Sequence, residues 1–556
     1  MASSEAEVAG STKQVYTALA VLLVLGGFLH FFGGNGADPD LWAHLQYGRT
    51  IWEGHGLPTV EVYSYTARGA PFYDHEWLTD FVFAGVFAMF GAAGFVVGKL
   101  VLLGAMLLLM LDTVRILRDL IVPERKVHPL TTACVLLLGL AVIGPGATFR
   151  AQLFTMLFLS LEGWLLARTE RRHAGQGVGT QGAAVGWEVW VIPALLLVWA
   201  NLHGGFLVGV GMLGLYAGGV ALQEAMAWRA GKRASASLRR TAGLALVCGL
   251  AVLAPLVNPY GIELYGYLAR TLDLHGEISE WHPVVVFSDH FLRFKILVLL
   301  FCFGVGLLWP RGRSSEERGV ALPALAWRAV FCAVAAYMAF QHQRHTVLFG
   351  IVATPLVVVA MEVLRQWVIG RFPALRPRPP VFATLVAGAA AVAFFQIGTW
   401  TKQVVEHGAE IRYGRIDYPV DAVEFLKKHG FEGNVAMPFE WGAYAITKMA
   451  PRSRVFIDGR FEAVYPQAVI DDYFAFLHGG EGWGRLIDAY PTDIVVVQRW
   501  REIHPRLFSR DDLVYVYSDP ASLVFVRRGP RTEEALQRLA VASDRHDFPR
   551  LVTYFP

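Results

Sequence analysis

The chain has 556 residues, of which 54% are hydrophobic and only 17% charged, with a mean hydropathy of +0.42. That balance describes a polytopic membrane protein rather than a soluble or disordered one. The small net charge of +3, without a basic tract interleaved with aromatics, argues against nucleic-acid binding. The four cysteines all fall inside apolar runs, which argues against a disulfide framework and against a thiolate zinc site.

In chain order, the apolar run 14–32 lacks a small-residue cleavage site and reads as a retained first span. It leads at once into "GGNGADPDLWAHLQYGR" at 33–49, where Asp38, Asp40, Trp42 and His44 fall at alternate positions. Asp38 before Pro39 is a helix-start signal. A second acid two residues on caps nothing, and burying it without a partner costs several kcal/mol, so Asp40 reads as functional. Trp42 is expected at interface depth. His44, one helical turn beyond Asp40, is expected to share its face. "YDHEWL" at 73–78 adds His75 and Glu76. The segment 78–91 is about 14 residues long, short for a span, and reads as a helix along the membrane interface.

Spans are expected near 14–33, 92–114, 129–147, 151–167, 188–201, 206–224, 241–257, 291–309, 322–341, 346–363 and 381–399. With a cytoplasmic N-terminus these crossings put every arginine-rich cluster, from Arg115/Arg118/Arg125/Lys126 to Arg365/Arg371/Arg376/Arg378, on the cytoplasmic side. The polar residues left over gather at the other ends of the spans. They are Asp38 and Asp40, His75 and Glu76, Arg150, His203 in "WANLHGG", "NPYG" at 258–261, Glu280 and His282 in "EISEWHP", and Arg344 and His345 in "QHQRH". Plainer roles exist for several: a helix-end hydrogen bond for His203, a turn for "NPYG", headgroup contacts for Arg344 and His345. Their one-sidedness nevertheless looks like a single catalytic or transport mouth.

From about 404 the chain reads as a small extracytoplasmic α/β domain. "VDAVEFLKKHG" at 420–430 is an amphipathic helix ending at a glycine. "NVAMPF", "SRVFID", "DIVVVQ", "LVYVYS" and "SLVFVRR" are short β-type runs. "FIDGRFE" at 456–462 places Asp458, Arg460 and Glu462 at a strand end, either as ligand contacts or as a surface ion pair.

Acids, histidines and arginines at one membrane face suit a lipid-phosphate substrate. A carboxylate can act as general base, arginine clamps phosphate, and histidine shuttles protons or ligates metal. The acidic Asp-x-Asp in a long first external loop (34–91), on a many-span chain with a C-terminal external domain, resembles the GT-C glycosyltransferases. That superfamily consists of membrane enzymes that use polyprenyl-phosphate-linked sugars, and the resemblance covers the whole architecture. It implies an α-helical polytopic protein of about 11 spans over 1–403, with an extracytoplasmic α/β domain over 404–556. It also implies a bacterial cytoplasmic membrane with the active site on the extracytoplasmic side. The expected activity is inverting transfer of a sugar to a glycan, lipid or protein acceptor. Asp40 is then the general base and Asp38 its partner; Arg344, His345 and Arg150 meet the donor phosphate; His44, His75, Glu76, His203, Glu280 and His282 meet acceptor or metal. A divalent cation (Mg or Mn) on Asp38, Asp40 and His44 is the candidate cofactor. "FEWGAY" at 439–444 is similar to the acceptor-reading motif of oligosaccharyltransferases but lacks its paired tryptophans and its aspartate. The competing readings are a transporter or flippase of a lipid-linked or anionic substrate, and a non-catalytic envelope assembly protein. The first would place polar groups near the bilayer midplane rather than at span ends.

Overall fold

The structure is a computed structural model that describes residues 2–175, 185–229, 231, 235–271, 278–309, 315–375, 379–541 and 552–554. The chain divides into two compact units. One comprises 1–34, 97–261 and 275–408; the other comprises 35–96, 262–274 and 409–556. The first external loop thus falls in the same compact unit as the C-terminal stretch 409–556.

The first unit is helical. Among the described residues eight helices are long and apolar enough to cross a membrane. The three other expected spans also fall on helices, Gln152–Gly175, the pair within Trp187–Leu202, and Leu292–Leu308. The central post is Thr346–Arg371, whose apolar stretch is 78% buried in protein. It carries an almost unbroken buried run from Thr346 to Ala360 and packs against Pro129–Ile143, Leu292–Leu308, Ser315–Gln341 and Gln152–Gly175. A helix apolar all round belongs inside a bundle, and this one is. The N-terminal helix Ala2–Phe32 packs instead on Pro129–Ile143 and Pro379–His407.

The helix Trp77–Ile121 is broken at Gly91, with φ 60 and ψ −155. Only glycine adopts that backbone readily. The break separates the stretch expected to lie along the interface from the span expected at 92–114.

The second unit is built on a mixed sheet. Its strands are β1 (Arg412–Gly414), β2 (Asn434–Ala436), β3 (Arg454–Val455), β4 (Ile494–Gln498), β5 (Leu513–Ser518), β6 (Ser522–Arg527) and β7 (Val552–Tyr554). The main sheet has the order β3-β2-β4-β6-β5, parallel across β3-β2-β4 and antiparallel across β4-β6-β5. All five expected β-type runs are its strands, and the expected helix is Val420–Lys428. The first loop is knitted to this domain by backbone. Ala37 N–H donates to the Arg412 carbonyl (2.7 Å) and Arg412 N–H to that of Asn35 (2.8 Å). Farther on, Val455 N–H donates to the Tyr63 carbonyl and Tyr65 N–H to that of Val455 (3.0 and 3.2 Å), so the loop runs along the free edge of β3.

The expected topology is tested by reporter fusions. Those at 120, 175, 235, 315 and 370 should all report cytoplasm. An outside signal at 120 would make 78–91 a true span.

Candidate active site

The two acids of the opening motif divide their work. Asp38 is buried and extended (φ −87, ψ 144), and its carboxylate accepts the Asp40 backbone N–H at 3.0 Å. It is the N-cap of the helix Pro39–Thr50, with Pro39 at the first helical position. Asp40 lies in the first turn, where the helix dipole favours a carboxylate, and is only partly buried. Gly459 of the C-terminal domain is exposed beside it: a Cβ there would stand 3.7 Å from Asp40 Oδ1.

The helix behind Asp40 is buried on two faces. Trp42 is fully buried, ringed by Tyr413, Tyr418 and Tyr444 at 4.9–5.9 Å. Trp42 thus packs into an aromatic pocket supplied by the C-terminal domain. That pocket includes part of "FEWGAY", which forms the helix Phe439–Met449 packed along Pro39–Thr50. On another side Gly48 meets the 77–90 stretch so closely that a Cβ would stand 2.0 Å from the Asp80 carbonyl oxygen.

Beneath this lies a buried ion network. Arg460 donates from Nε and Nη2 to the two oxygens of Asp458 (2.8 and 2.6 Å), and from Nη1 to Glu61. Glu61 also accepts the backbone N–H groups of Tyr63 and Ser64 (2.5 and 2.6 Å), and Tyr465 O–H donates to Asp458 (2.9 Å). The guanidinium lies over Tyr47 and Phe72, 5.4 and 5.0 Å from the ring centres. Burial would push the Asp458 carboxyl up, but the Arg460 charge and its hydrogen bonds outweigh this and hold it below the usual range. Asp458 and Arg460 are thus not a surface pair; they anchor the loop. The Glu462 side chain lies outside the described residues.

His44 and its neighbours form a second buried cluster. His44 Nδ1 is 2.5 Å from Asp80 Oδ1, its Nε2 is 3.9 Å from Glu76, and His75 Nε2 is 3.6 Å from Glu76. Asp74 is buried beside them, and burial first, then the charge of Asp80, raise its carboxyl well above the ordinary range. His44 therefore shares a helix with Asp40, but its ring faces these acids. Asp38 is engaged as a cap and His44 by Asp80, so the set Asp38, Asp40 and His44 does not fit a metal. Among the described residues no group of three or more His, Cys, Asp or Glu is arranged to hold one.

The other predicted residues lie in the helical unit. Arg150 donates to both oxygens of Glu280 (2.7 and 2.9 Å). Arg344 lies over the Trp281 ring at 4.6 Å, His345 Nδ1 is 3.3 Å from the Met338 carbonyl, and His282 is exposed. His203 takes its plainer role: Nδ1 meets Thr155 Oγ1 (2.7 Å) and accepts Gly205 N–H (2.9 Å), closing a helix end. Sequence reasoning missed Lys99. It is buried, it donates to the Gly34 carbonyl, and its ammonium stands 4.4 Å from the Phe149 ring centre, next in sequence to Arg150. Among the described residues no carboxylate pairs with it. A lone lysine in "FVVGKLVLL" was the available signal, because an ionisable group at membrane depth is functional by default.

Two outcomes follow. Arg460→Met orphans two buried carboxylates, which typically costs about 3–5 kcal/mol. Hydrogen exchange on the full chain in detergent should show protection lost across 61–67, and unchanged protection would refute the anchoring role. Asp74 has a raised folded-state value, so its contribution is complete below the ordinary carboxylate range near about 4 and is lost as pH rises through the folded value. Asp74→Asn should therefore gain on the wild type in thermal stability as pH rises from about 4 to 8. A constant difference between the two would contradict this.

No protein-family model matches the sequence, and no curated protein matches it. Solved structures do. The archaeal oligosaccharyltransferase AglB from Archaeoglobus fulgidus, in complex with an inhibitory peptide and a dolichol-phosphate, aligns over 87% of this chain and 69% of its own. The identity is 11% and the TM-score 0.51. ArnT from Cupriavidus metallidurans in the apo state aligns over 93% of this chain and 98% of its own, at 13% identity and TM-score 0.47. ArnT bound to undecaprenyl phosphate gives 92%, 98%, 13% and 0.47. At such identities the likeness is one of fold. The chain shares the fold of AglB.

Proposed function

We propose that the chain is a membrane glycosyltransferase that moves a sugar from a polyprenyl-phosphate-linked donor to an acceptor on the extracytoplasmic face of a bacterial cytoplasmic membrane. The acceptor is a glycan, a lipid or a protein. The observation that carries the reading is Asp40: a partly exposed carboxylate on the first turn of a helix, beside exposed Gly459, on a loop pinned by a buried arginine. A base needs fixed position and access together, and this residue has both. The fold shared with AglB supports the donor class, since AglB was solved with a dolichol-phosphate.

In this reading Asp40 takes the proton of the acceptor nucleophile as that atom bonds to the anomeric carbon of the sugar. The bond from that carbon to the phosphate oxygen breaks on the opposite side, so the anomeric configuration inverts. The lipid phosphate leaves with the electron pair. Lys99 and Arg150 neutralise the phosphate, Lys99 with hydrogens that its single carbonyl partner does not use. Arg344 and His345 stand as further phosphate contacts, and His75, Glu76, Glu280 and His282 as acceptor contacts. Asp38 holds the helix start that presents Asp40. No step runs through a metal.

Asp40→Asn should lower transfer in a reconstituted assay by about 10²–10⁴-fold, the usual contribution of a general base. Asp38→Asn, still a good N-cap, should stay within about tenfold of the wild type. The opposite pattern would reverse the assignment, and full activity in both would remove the motif from the mechanism. Lys99→Met should raise the donor KM by about tenfold or more, since a hydrogen bond to a charged group is worth about 1.5–3 kcal/mol. An unchanged KM would dismiss Lys99 as a donor ligand.

A further inference from the structure

The turn between Trp281 and the helix Leu292–Leu308 carries the run "PVVVF" at 283–287. Val284 is buried, but Val285 and Val286 are 62 and 56% exposed, and Phe287 is fully exposed among the described residues. Consecutive apolar side chains left bare at one spot mark a surface that something covers. The turn is nevertheless held in place. Val284 N–H donates to the Phe340 carbonyl and Gln343 N–H to that of His282, both at 3.0 Å. Ser288 Oγ donates to the Val285 carbonyl (3.0 Å), and Lys295 Nζ to the Ser288 carbonyl (2.5 Å). Phe291 then joins the turn to the helix in the left-handed region, at φ 57, a backbone that a bulky residue adopts only when its surroundings impose it. These tethers hold the turn where the helices Leu292–Leu308 and Ser315–Gln341 end.

The helix itself says what the cover is. Its exposed apolar residues Leu292, Ile296, Leu299 and Phe303 recur every three or four positions and form one lipid-facing stripe. The helix has 17 residues, so it is about 26 Å long, a few ångströms short of the roughly 30 Å hydrocarbon core. Trp309, exposed at the far end, is of the residue type that settles at headgroup depth. The shortfall therefore lies at the Leu292 end, where the turn continues the stripe. Two nearby cations are compatible with this depth. The Lys295 ammonium reaches back to Ser288, and the Arg293 guanidinium lies 5.7 Å from the ring centre of Phe31, in the last turn of Ala2–Phe32. Both charges thus lie at the helix ends, where long basic side chains meet headgroups. We propose that the turn is a membrane anchor, with Val285, Val286 and Phe287 set into the headgroup–acyl boundary of the leaflet at that end of the bundle and covered by phospholipid. The anchor is separate from Asp40 and Lys99 and does not depend on the activity proposed for them.

The test places benzoylphenylalanine, a photo-cross-linking relative of phenylalanine, at position 287 of the full chain in place of Phe287. The protein is reconstituted in nanodiscs of palmitoyl-oleoyl phosphatidylcholine and irradiated. Mass spectrometry of the intact chain and of its peptides should find one phosphatidylcholine joined at position 287. The same residue in place of Trp500, also exposed but in the other compact unit, should give no lipid adduct. Absence of a lipid adduct at 287 would overturn the proposal. So would an equally abundant adduct at 500, or a cross-link from 287 to a second copy of the chain.

Discussion

The candidate site depends on one buried arginine. Arg460 bridges Glu61 from the first loop and Asp458 from the C-terminal domain, groups that lie 399 and 2 residues away along the chain. Such a bridge is weak evidence for net stability, since desolvation of three charges offsets much of the attraction. Its contribution is geometric. Glu61 also takes the amides of Tyr63 and Ser64, so the loop has one register against β3, and Asp458 sets the turn that presents Gly459 beside Asp40. The loop is therefore an extension of the C-terminal domain, and the compact unit that carries Asp40 contains both.

Much of the architecture was legible in the sequence. Long apolar runs carry an unambiguous signal, and each expected span falls on a helix. The β-type runs 494–498 and 522–527 pair directly, because their apolar residues are buried on both faces. Asp38 as a cap could be read from Asp-Pro, and Gly91 as a helix break follows from a backbone that glycine alone adopts readily.

The site was less legible, for three physical reasons. A single charge is diluted in any hydropathy window, so Lys99 passed as part of a span. Tertiary pairing leaves no local pattern: nothing near Glu61 announces Arg460, and nothing near Trp42 announces Tyr413, Tyr418 and Tyr444. Gathering residues by membrane face also ignores which body they belong to. Asp40, His44, His75 and Glu76 lie in one compact unit, and Arg150, His203, Glu280, His282, Arg344 and His345 in the other. Within those units the residues sort further. His203 closes a helix end, Arg150 pairs with Glu280, and His44 faces buried acids.

Asp40 and Lys99 remain the groups whose environments call for chemistry: an accessible acid on a pinned helix, and a buried cation with a carbonyl for its partner. Gly34, whose carbonyl holds Lys99, is six residues before Asp40 in sequence. The account therefore turns on whether Lys99 is where a lipid phosphate is held. The most direct measurement is a density map of the full chain in lipid nanodiscs loaded with a polyprenyl phosphate. The account predicts phosphate density within hydrogen-bond distance of Lys99 Nζ. A phosphate held elsewhere, with Lys99 still bound only to the Gly34 carbonyl, would contradict it.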